Sequence, residues 1–268
     1  RNGIEAKFSV ARDGDDAWSG RLAAPNAERS DGPLATVARA RDAIREMKAK
    51  GPLAAPVTVM VRGGTYYLDD TLVFEERDSG TKECPITYTA YPGEKPVLSG
   101  GRGITGPWRA YKRKIMVCSL EGAKARGWKF RQLVVNGKKQ TRARLPNEGY
   151  YWVQEGVSDA AFKYKRGDLK QWHNLDEVEV VVFHSWNESR LIISELDEEE
   201  RTVKFTGAPE PSHRFGWRGL NRYYVENVLE GLNQPGEWYL DSHTGELYYW
   251  PCYWQPRSPL SSHYLVIN

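Results

Sequence analysis

Carboxylates, guanidinium groups and aromatic rings are the side chains of this 268-residue chain that could do chemistry. Hydrolysis of a glycosidic bond needs two carboxyl groups on either side of it, one of them held protonated. The chain has 35 Asp and Glu residues, but no spacing singles out a pair among them. Glu226 and Glu230 would share a face if their segment were helical, but a surface pair is the favoured interpretation. The catalytic residues are therefore unknown from the sequence.

Contacts to a sugar can be predicted better than catalysis, because planar donors, polar acceptors and rings suit a hydroxyl-rich ligand. Seven residues offer such groups and are the candidates for contacts to a sugar: Arg142, Arg144, His184, Trp186, Tyr223, Glu226 and Asn227. The two arginines alternate onto one strand face and could hold sugar hydroxyls, or the carboxylate of an acidic sugar, bidentately. His184 and Trp186 share another strand face, and the last three residues are expected on a nearby loop. In the structural alternative, the arginines pair with Glu148 or Glu226 and Trp186 packs in the core.

Metal and cofactor sites are not indicated. Asp13-Gly-Asp-Asp16 could offer oxygen ligands to calcium, but it lacks the alternating acidic positions of an EF-hand loop and is better explained as a turn. Three distant cysteines, Cys84, Cys118 and Cys252, predict neither a disulfide framework nor a CxxC metal site. We therefore predict no metal and no cofactor.

Charge and hydropathy exclude two classes of partner. The formal charge of +3 is nearly balanced, which argues against a dedicated nucleic-acid binder. No apolar run approaches the length needed to span a bilayer, so no membrane partner is expected. No signal-peptide pattern opens the sequence, which is typical of a cytosolic protein or of a mature form whose signal has been removed.

The elements that must position these residues begin with short strands between residues 57 and 101. The β-branched and aromatic runs are closed by turn residues and start roughly 10 to 15 residues apart, too close for crossover helices; they are Val57–Val61, Thr71–Phe74, Ile86–Tyr91 and Val97–Ser99. A solenoid with parallel strands and a two-layer sandwich both give this pattern. A helix at about Thr36–Lys50, capped by Thr36 and ended by Gly51-Pro52, could cover one end of a solenoid.

From Pro107 onward the strands are longer and alternate with hairpin turns, which predicts a separate antiparallel β domain. Asn136-Gly137 is a strong hairpin signal. Asp197–Glu200 is expected at a hairpin tip, Ser242–Gly245 at another, and Val178–Trp186 as a buried strand.

The order of motifs resembles that of a known family. The motifs follow one another as a first strand with Asp13–Asp16, then Ala38–Ala43, Val61–Tyr67, Asp78–Thr81, Pro85–Tyr88, Ala90–Lys95, Val97–Gly101, Asn136–Gln140, Arg142–Arg144 and Pro235–Asp241. Residues 7–251 thereby resemble the N-terminal part of bacterial right-handed parallel β-helix glycoside hydrolases of the fucosidase and xylanase type, similar to glycoside hydrolase family 141.

The resemblance implies a mainly β fold in three parts. Residues 1–106 would form an N-terminal capping helix and the first β-helix coils, and residues 107–251 an inserted antiparallel β domain that walls one side of the substrate cleft. Residues 252–268 do not resemble the family's continuation, so the chain is expected to be truncated, by engineering, by proteolysis or by a frameshift. The family's catalytic carboxylates are expected in later coils.

The function implied is that of an N-terminal portion of a secreted or periplasmic enzyme that hydrolyses a complex polysaccharide, and this portion alone is expected to be inactive. Two alternatives remain open, a non-catalytic carbohydrate-binding or structural module and a fragment of a polysaccharide lyase. The expected partner is an oligosaccharide or polysaccharide. Either self-association through the open β-helix end or folding back of residues 252–268 over it is also expected, because such an end leaves strand edges unpaired. The tail residues that supply apolar surface for either route are Tyr253, Trp254, Leu260, Tyr264, Leu265 and Ile267.

Overall fold

The computed structural model describes residues 8–104, 106–112, 114–120, 124, 129–209, 215, 221–252 and 265–267. The chain is mainly β and divides into two compact units, an N-terminal unit of residues 1–102 and a C-terminal unit of residues 103–268. Across the described ranges, we find no helix whose length and apolar character would let it cross a bilayer.

The helix of the N-terminal unit, α1, covers Val37–Ala49, which confirms the predicted helix. Its buried side chains recur at helical spacing and join the core of this unit; they are Val37, Ala40, Ala43 and Ile44. The hydroxyl oxygen of Thr36 accepts a hydrogen bond from the Arg39 amide at 3.0 Å and caps the first turn. Asp16 supports this cap, because its carboxylate accepts from the amides of Ala35 and Thr36 and from the Thr36 hydroxyl. Asp16 therefore serves the helix start.

The strands of the N-terminal unit pair in parallel. They are β1 Phe8–Val10, β2 Val57–Val61, β3 Gly64–Tyr67, β4 Ile86–Ala90 and β5 Pro96–Ser99. One sheet has the order β1-β2-β4, and β3 pairs with β5 in a second sheet. The segment from β2 to β3, the first passage, bends between the two sheets, and the segment from β4 to β5, the second passage, bends in the same way beside it. The registers Val61↔Ala90 and Gly64↔Pro96 show this correspondence.

One strand predicted in this unit is absent. Thr71–Phe74 has no strand pairing and instead leads to a 3₁₀ turn at Glu76–Asp78. The side chains of Val73 and Phe74 are about half exposed, at 48% and 47%, so apolar character here marks a surface segment.

The C-terminal unit holds most of the strands. Its strands, with β6 at the boundary, are β6 Arg102–Gly103, β7 Trp108–Lys112, β8 Ile115–Ser119, β9 Leu133–Val135, β10 Lys138–Lys139, β11 Thr141–Arg142, β12 Arg144–Leu145, β13 Tyr151–Trp152, β14 Glu155–Ser158, β15 Ala161–Lys163, β16 Glu179–Phe183, β17 Glu188–Asp197, β18 Thr202–Phe205, β19 Arg222–Glu226, β20 Glu237–Asp241, β21 Glu246–Tyr249 and β22 Leu265–Ile267.

Two sheets organise this unit. The larger sheet has the order β12-β19-β16-β17-β18-β15-β14, with β13 also paired to β19. A second sheet has the order β11-β20-β21-β8-β7. Nearly all of these pairs are antiparallel; β11 with β20 is parallel. The antiparallel β domain is therefore observed, and the described sheets of the whole chain are mostly antiparallel. Parallel pairs are seen in the N-terminal unit and between β11 and β20.

The predicted hairpins are present. Asn136 and Gly137 adopt positive φ angles of 50° and 75° between β9 and β10, as a two-residue hairpin turn requires. Asp197 accepts from the amides of Glu199 and Glu200 at the tip between β17 and β18. Asp241 does the same for two amides of the turn between β20 and β21.

Two predicted strands are shorter than expected. The strand after Gly137 ends at Lys139, because the Thr141 amide donates to Gly236 and the Ala143 amide donates to Trp238, which draws this segment beside β20. The strand predicted over 178–186 ends at Phe183. β22, from the C-terminal tail, pairs with β9, whereas Tyr253, Trp254, Leu260 and Tyr264 lie outside the described residues. The described part of the tail thus adds to a sheet of the C-terminal unit.

Candidate functional site

The best candidate site lies on the face of the larger sheet that is turned away from its core. Side chains of a strand alternate between the two faces of a sheet. On β19, Tyr223 and Val225 are fully buried in the core, so Arg222, Tyr224 and Glu226 lie on the opposite face. We call this the outer sheet face.

Neighbouring strands extend this face, because residues paired across an antiparallel ladder point to the same side. Arg144 on β12 pairs with Glu226, and Trp152 on β13 pairs with Arg222. The ladder from β19 through β16 to β17 adds Glu179, Val181, Phe183, Glu188, Arg190 and Ile192. The outer sheet face thus consists of Arg144, Trp152, Glu179, Val181, Phe183, Glu188, Arg190, Ile192, Arg222, Tyr224 and Glu226, with Tyr150 beside it; Val181 is fully buried.

One end of the outer sheet face is a cluster of rings and guanidinium groups. The guanidinium carbon of Arg222 lies 4.5 Å from the ring centroid of Tyr150 and 5.0 Å from that of Phe183. Arg144 lies 4.0 Å above the Tyr224 ring, and its Nε and Nη2 donate to the carbonyls of residues 146 and 149. Tyr150 packs edge-on against Phe183 at 5.3 Å. These contacts fix flat surfaces and planar donors next to one another.

Part of this cluster is open to solvent. Tyr150 is 38% exposed and Trp152 is 48% exposed, and Arg222 is also exposed. Rings with one accessible side can stack on the apolar C–H face of a sugar, while guanidinium groups beside them donate to its hydroxyls. The geometry therefore suits a saccharide bound flat on the face.

The other end of the face is an ion-pair network. Arg190 lies 2.9 Å from Glu188 and 3.0 Å from Glu226. Arg142, at the edge of the face, contacts Glu179 at 2.7 Å and Glu226 at 3.7 Å through the same nitrogen, Nη1.

The Glu179 end of this network is buried. Glu179 and Arg142 are 7% and 9% exposed, and Arg131 also contacts Glu179 at 3.0 Å. Burial acts to raise the pKa of Glu179, but ion pairing with Arg142 and Arg131 outweighs it and the pKa is lowered. Burial raises the pKa of Tyr224, helped by the charge of Glu226. Glu179 is thus held ionised by the arginines that contact it.

A general acid for glycoside hydrolysis would need a raised pKa. Two described carboxyl groups of this unit, those of Asp168 and Glu237, have a raised pKa. Burial is the main cause in both. Glu237 is 3% exposed and accepts from two backbone amides, while Asp168 accepts from the buried Tyr223 hydroxyl at 3.2 Å. Neither stands on the outer sheet face. This face, over its described residues, has the groups to bind a sugar and no raised-pKa acid to cleave one.

The structure brings together some of the seven sequence-predicted residues. Arg144 and Glu226 lie on the outer sheet face, and Arg142 lies at its edge. The arginines are on two strands, β11 and β12, so their predicted alternation along one strand was wrong. The structural alternative of pairing with Glu226 is observed for Arg142 at 3.7 Å, whereas Arg144 bonds to backbone carbonyls.

His184 and Trp186 follow the end of β16. His184 contacts the Ser189 hydroxyl at 2.9 Å through Nε2, and Trp186 is 79% exposed. Their placement on one strand face was wrong, because β16 ends at Phe183, and Trp186 does not pack in the core.

Tyr223 and Glu226 lie on strand β19 rather than on the predicted loop, and Asn227 directly follows the strand. A 3₁₀ turn follows at Leu229–Gly231, so the helical alternative for Glu226 and Glu230 was also wrong. Tyr223 is fully buried, and Asn227 is 2% exposed. The Asn227 side chain donates to the Leu240 carbonyl and accepts from its amide, which ties the end of β19 to β20. These two residues support the face from behind.

Sequence reasoning missed Tyr150, Trp152, Arg222 and Tyr224. The alternation Arg222-Tyr224-Glu226 was a usable signal, because it is the polar half of a strand whose other half is apolar. Tyr150 and Trp152 could not be placed, because their ladder with β19 joins residues about 70 positions apart.

No group of three or more His, Cys, Asp or Glu among the described residues has the geometry of a metal site. The three cysteines are free.

Comparisons with known proteins identify the C-terminal unit. A family model described as the GH141 insertion domain matches residues 113–252. A solved structure titled "Glycoside hydrolase" has a TM-score of 0.78 and 23% identity, over 97% of this chain and 45% of that one. At this identity the likeness shows a shared fold, and the chain spans less than half the length of that protein. No curated protein matches the chain. The family match covers more than half of the residues, and the chain therefore belongs to the GH141 insertion domain family.

Proposed function

We propose that this chain is part of a glycoside hydrolase that acts on a complex polysaccharide, and that its outer sheet face holds the saccharide. Membership of the GH141 insertion domain family and the fold shared with a glycoside hydrolase support a carbohydrate-active protein. The observation that carries the binding role is the exposed cluster of Tyr150, Trp152 and Arg222.

Among the sequence-predicted residues, Arg144 and Glu226 are proposed to contact the sugar directly. Arg142, Tyr223 and Asn227 are proposed to hold the face in shape, since they are largely buried in bonds to protein groups. His184 and Trp186 stand after β16 and are proposed to touch a longer ligand that extends past Phe183.

The N-terminal unit is proposed to be the start of a parallel β-helix. Support comes from the two stacked passages of the chain, β2 with β3 and β4 with β5, which pair in parallel in two sheets. An open cavity of about 550 Å³ beside the second passage is lined mainly by apolar side chains, among them Leu72, Phe74, Ile86, Tyr88 and Leu98. Further coils stacked there would cover these side chains.

The acid and base of the hydrolase are proposed to lie in parts of a longer protein that this chain does not include. The chain spans 45% of the solved glycoside hydrolase, and the carboxylates of the outer sheet face are ion-paired with arginines. A non-catalytic binding module has the same binding face, and the two candidates differ only in the activity of the longer protein.

Binding to neutral oligosaccharides tests the proposal. Isothermal titration of the chain with xylohexaose and with a fucosylated oligosaccharide should give dissociation constants on the order of millimolar, as a few solvent-exposed contacts provide. Trp152→Ala and Tyr150→Ala should each weaken binding about fivefold or more, corresponding to about 1 kcal/mol.

The matched control is Tyr111→Ala, since Tyr111 is 45% exposed on β7 of the other sheet of the same unit. Equal losses in all three variants, or no binding of either sugar by the parent chain, would overturn the proposal.

A further inference from the structure

We infer that the ring and guanidinium end of the outer sheet face is a subsite for a negatively charged sugar, one that carries a carboxylate or a sulfate ester. This inference rests on the proposed function and adds the class of substrate.

Three of the guanidinium groups at this face are matched by carboxylates. Arg131 and Arg142 contact Glu179, and Arg190 contacts Glu188 and Glu226. Each of these ion pairs is closer than 3.5 Å, so the three positive and three negative charges largely compensate one another. The ion-pair network therefore has no strong preference for an anion.

Arg144 and Arg222 are the two positive charges in excess. Neither has a carboxylate within ion-pair distance in the described part of the chain. Arg144 donates to two backbone carbonyls through Nε and Nη2, which leaves Nη1. Arg222 has no hydrogen-bond partner among the described residues, and its surroundings are the rings of Tyr150 and Phe183. The ring faces hold both guanidinium groups in place without neutralising them.

The Tyr150 ring joins the two arginines. Its centroid is 4.5 Å from the guanidinium carbon of Arg222 and 5.9 Å from that of Arg144. A sugar ring stacked beside Tyr150 would therefore have a planar cationic fork close to its edge. Guanidinium groups bind carboxylate and sulfate oxygens through two parallel hydrogen bonds, which a neutral hydroxyl cannot match.

A nucleic acid could also use stacking rings and cations. The face favours a sugar, because only two positive charges are in excess and the remaining arginines are bound to carboxylates that would repel a phosphate backbone. A single acidic sugar unit fits this limited charge better than a polyanion.

The test compares a uronate oligomer with its uncharged form. Trigalacturonate should bind the chain about tenfold more tightly than its methyl ester, which keeps the sugar rings and masks the carboxylates; tenfold corresponds to about 1.4 kcal/mol. Arg222→Gln should reduce this preference to about twofold, and Arg222→Lys should retain part of it. The preference should weaken with added salt, because the site is exposed.

Arg166→Gln is the matched control, since Arg166 is an exposed arginine of the same unit and has no partner among the described residues. A sulfated galactose disaccharide and its desulfated form distinguish sulfate from carboxylate as the preferred anion. Circular dichroism shows whether each variant is folded.

Equal binding of trigalacturonate and its methyl ester would overturn the inference and leave the proposed function intact. Binding of neither form, nor of xylohexaose, would overturn both. Tighter binding of a thymidine oligonucleotide than of trigalacturonate would assign the cluster to nucleic acid and overturn the inference as well.

Discussion

At the scale of single residues, the outer sheet face depends on charged groups that are buried only because they are paired. Arg142 is 9% exposed and Glu179 is 7% exposed, at 2.7 Å from each other. Removing one partner from such a pair leaves a charge without compensation in a poorly solvated place. Arg142 therefore has a structural role whatever it contributes to binding.

Glu179→Leu should destabilise the C-terminal unit by about 3 kcal/mol, because Arg142 would keep a buried charge. Urea denaturation followed by circular dichroism measures this loss. The double variant Arg142→Met with Glu179→Leu should recover part of the stability, since no buried charge is then left unpaired and Arg131 is exposed to solvent.

The control is Lys204→Ala, which removes the exposed pair with Glu195 and should cost less than about 1 kcal/mol. If Lys204→Ala and Glu179→Leu cost the same, the buried network is not what holds this sheet.

Two aspartates should give opposite pH dependence. Asp78 accepts two hydrogen bonds of 2.6 Å from Arg45, and these bonds lower its pKa. Its contribution is present above the unfolded pKa of about 3.9 and is lost as pH falls through the lower folded pKa. Asp78→Asn should therefore be less stable than the parent at pH 7, and the difference should shrink below about pH 4.

Burial instead raises the pKa of Asp168, so its ionised form opposes folding. Asp168→Asn keeps an acceptor for the Tyr223 hydroxyl and should stabilise the chain at neutral pH. This gain should disappear as the parent Asp168 takes up its proton at lower pH. Urea midpoints at several pH values test both variants, and the same sign for both would contradict the assigned environments.

At the scale of elements, the sequence predicted those features that depend on interactions between residues close together in the chain. The Thr36 cap, the apolar spacing of α1 and the Asn136-Gly137 turn each depend on neighbours within a few residues. The end of one strand at Lys139 depends on pairing with β20, about 100 residues further along the chain. The burial of Tyr223 likewise involves Asp168, 55 residues away. The candidate site was predicted only in part for the same reason, since Tyr150 and Trp152 reach Arg222 through long-range pairing.

Thr36→Ala should destabilise the N-terminal unit by about 1 kcal/mol, because the Arg39 amide loses its acceptor and Asp16 loses a donor. Urea denaturation at neutral pH measures the change. Thr36→Ser keeps the hydroxyl and should stay close to the parent. A loss in Thr36→Ser as large as in Thr36→Ala would show that the cap is not the cause.

At the scale of the whole molecule, the N-terminal unit presents apolar side chains at the edges of its parallel sheets. Val97 and Leu98 on β5 are 43% and 48% exposed, and β5 has β3 as its described partner. Exposed edge strands with apolar side chains are sites of association. In the proposed β-helix, further coils of a longer protein would cover this edge.

The isolated chain should therefore self-associate as its concentration rises, and Leu98→Lys should reduce this association, since a charge on an edge strand opposes pairing. Light scattering over a concentration series measures the mass. Leu22→Lys is the control, because Leu22 is 39% exposed in a loop of the same unit. A chain that stays monomeric, or a Leu22→Lys variant that dissociates equally, would contradict this prediction.

The central claim is that a saccharide binds on the outer sheet face of the C-terminal unit. Chemical-shift mapping of the full chain during titration with xylohexaose and trigalacturonate tests it most directly. The Trp152 indole and the amides of residues 150–152 and 222–226 should shift first, and the resonances of Tyr111 and of the strands around it should stay unchanged. Shifts confined to residues 8–50, or spread evenly over both units, would contradict the claim.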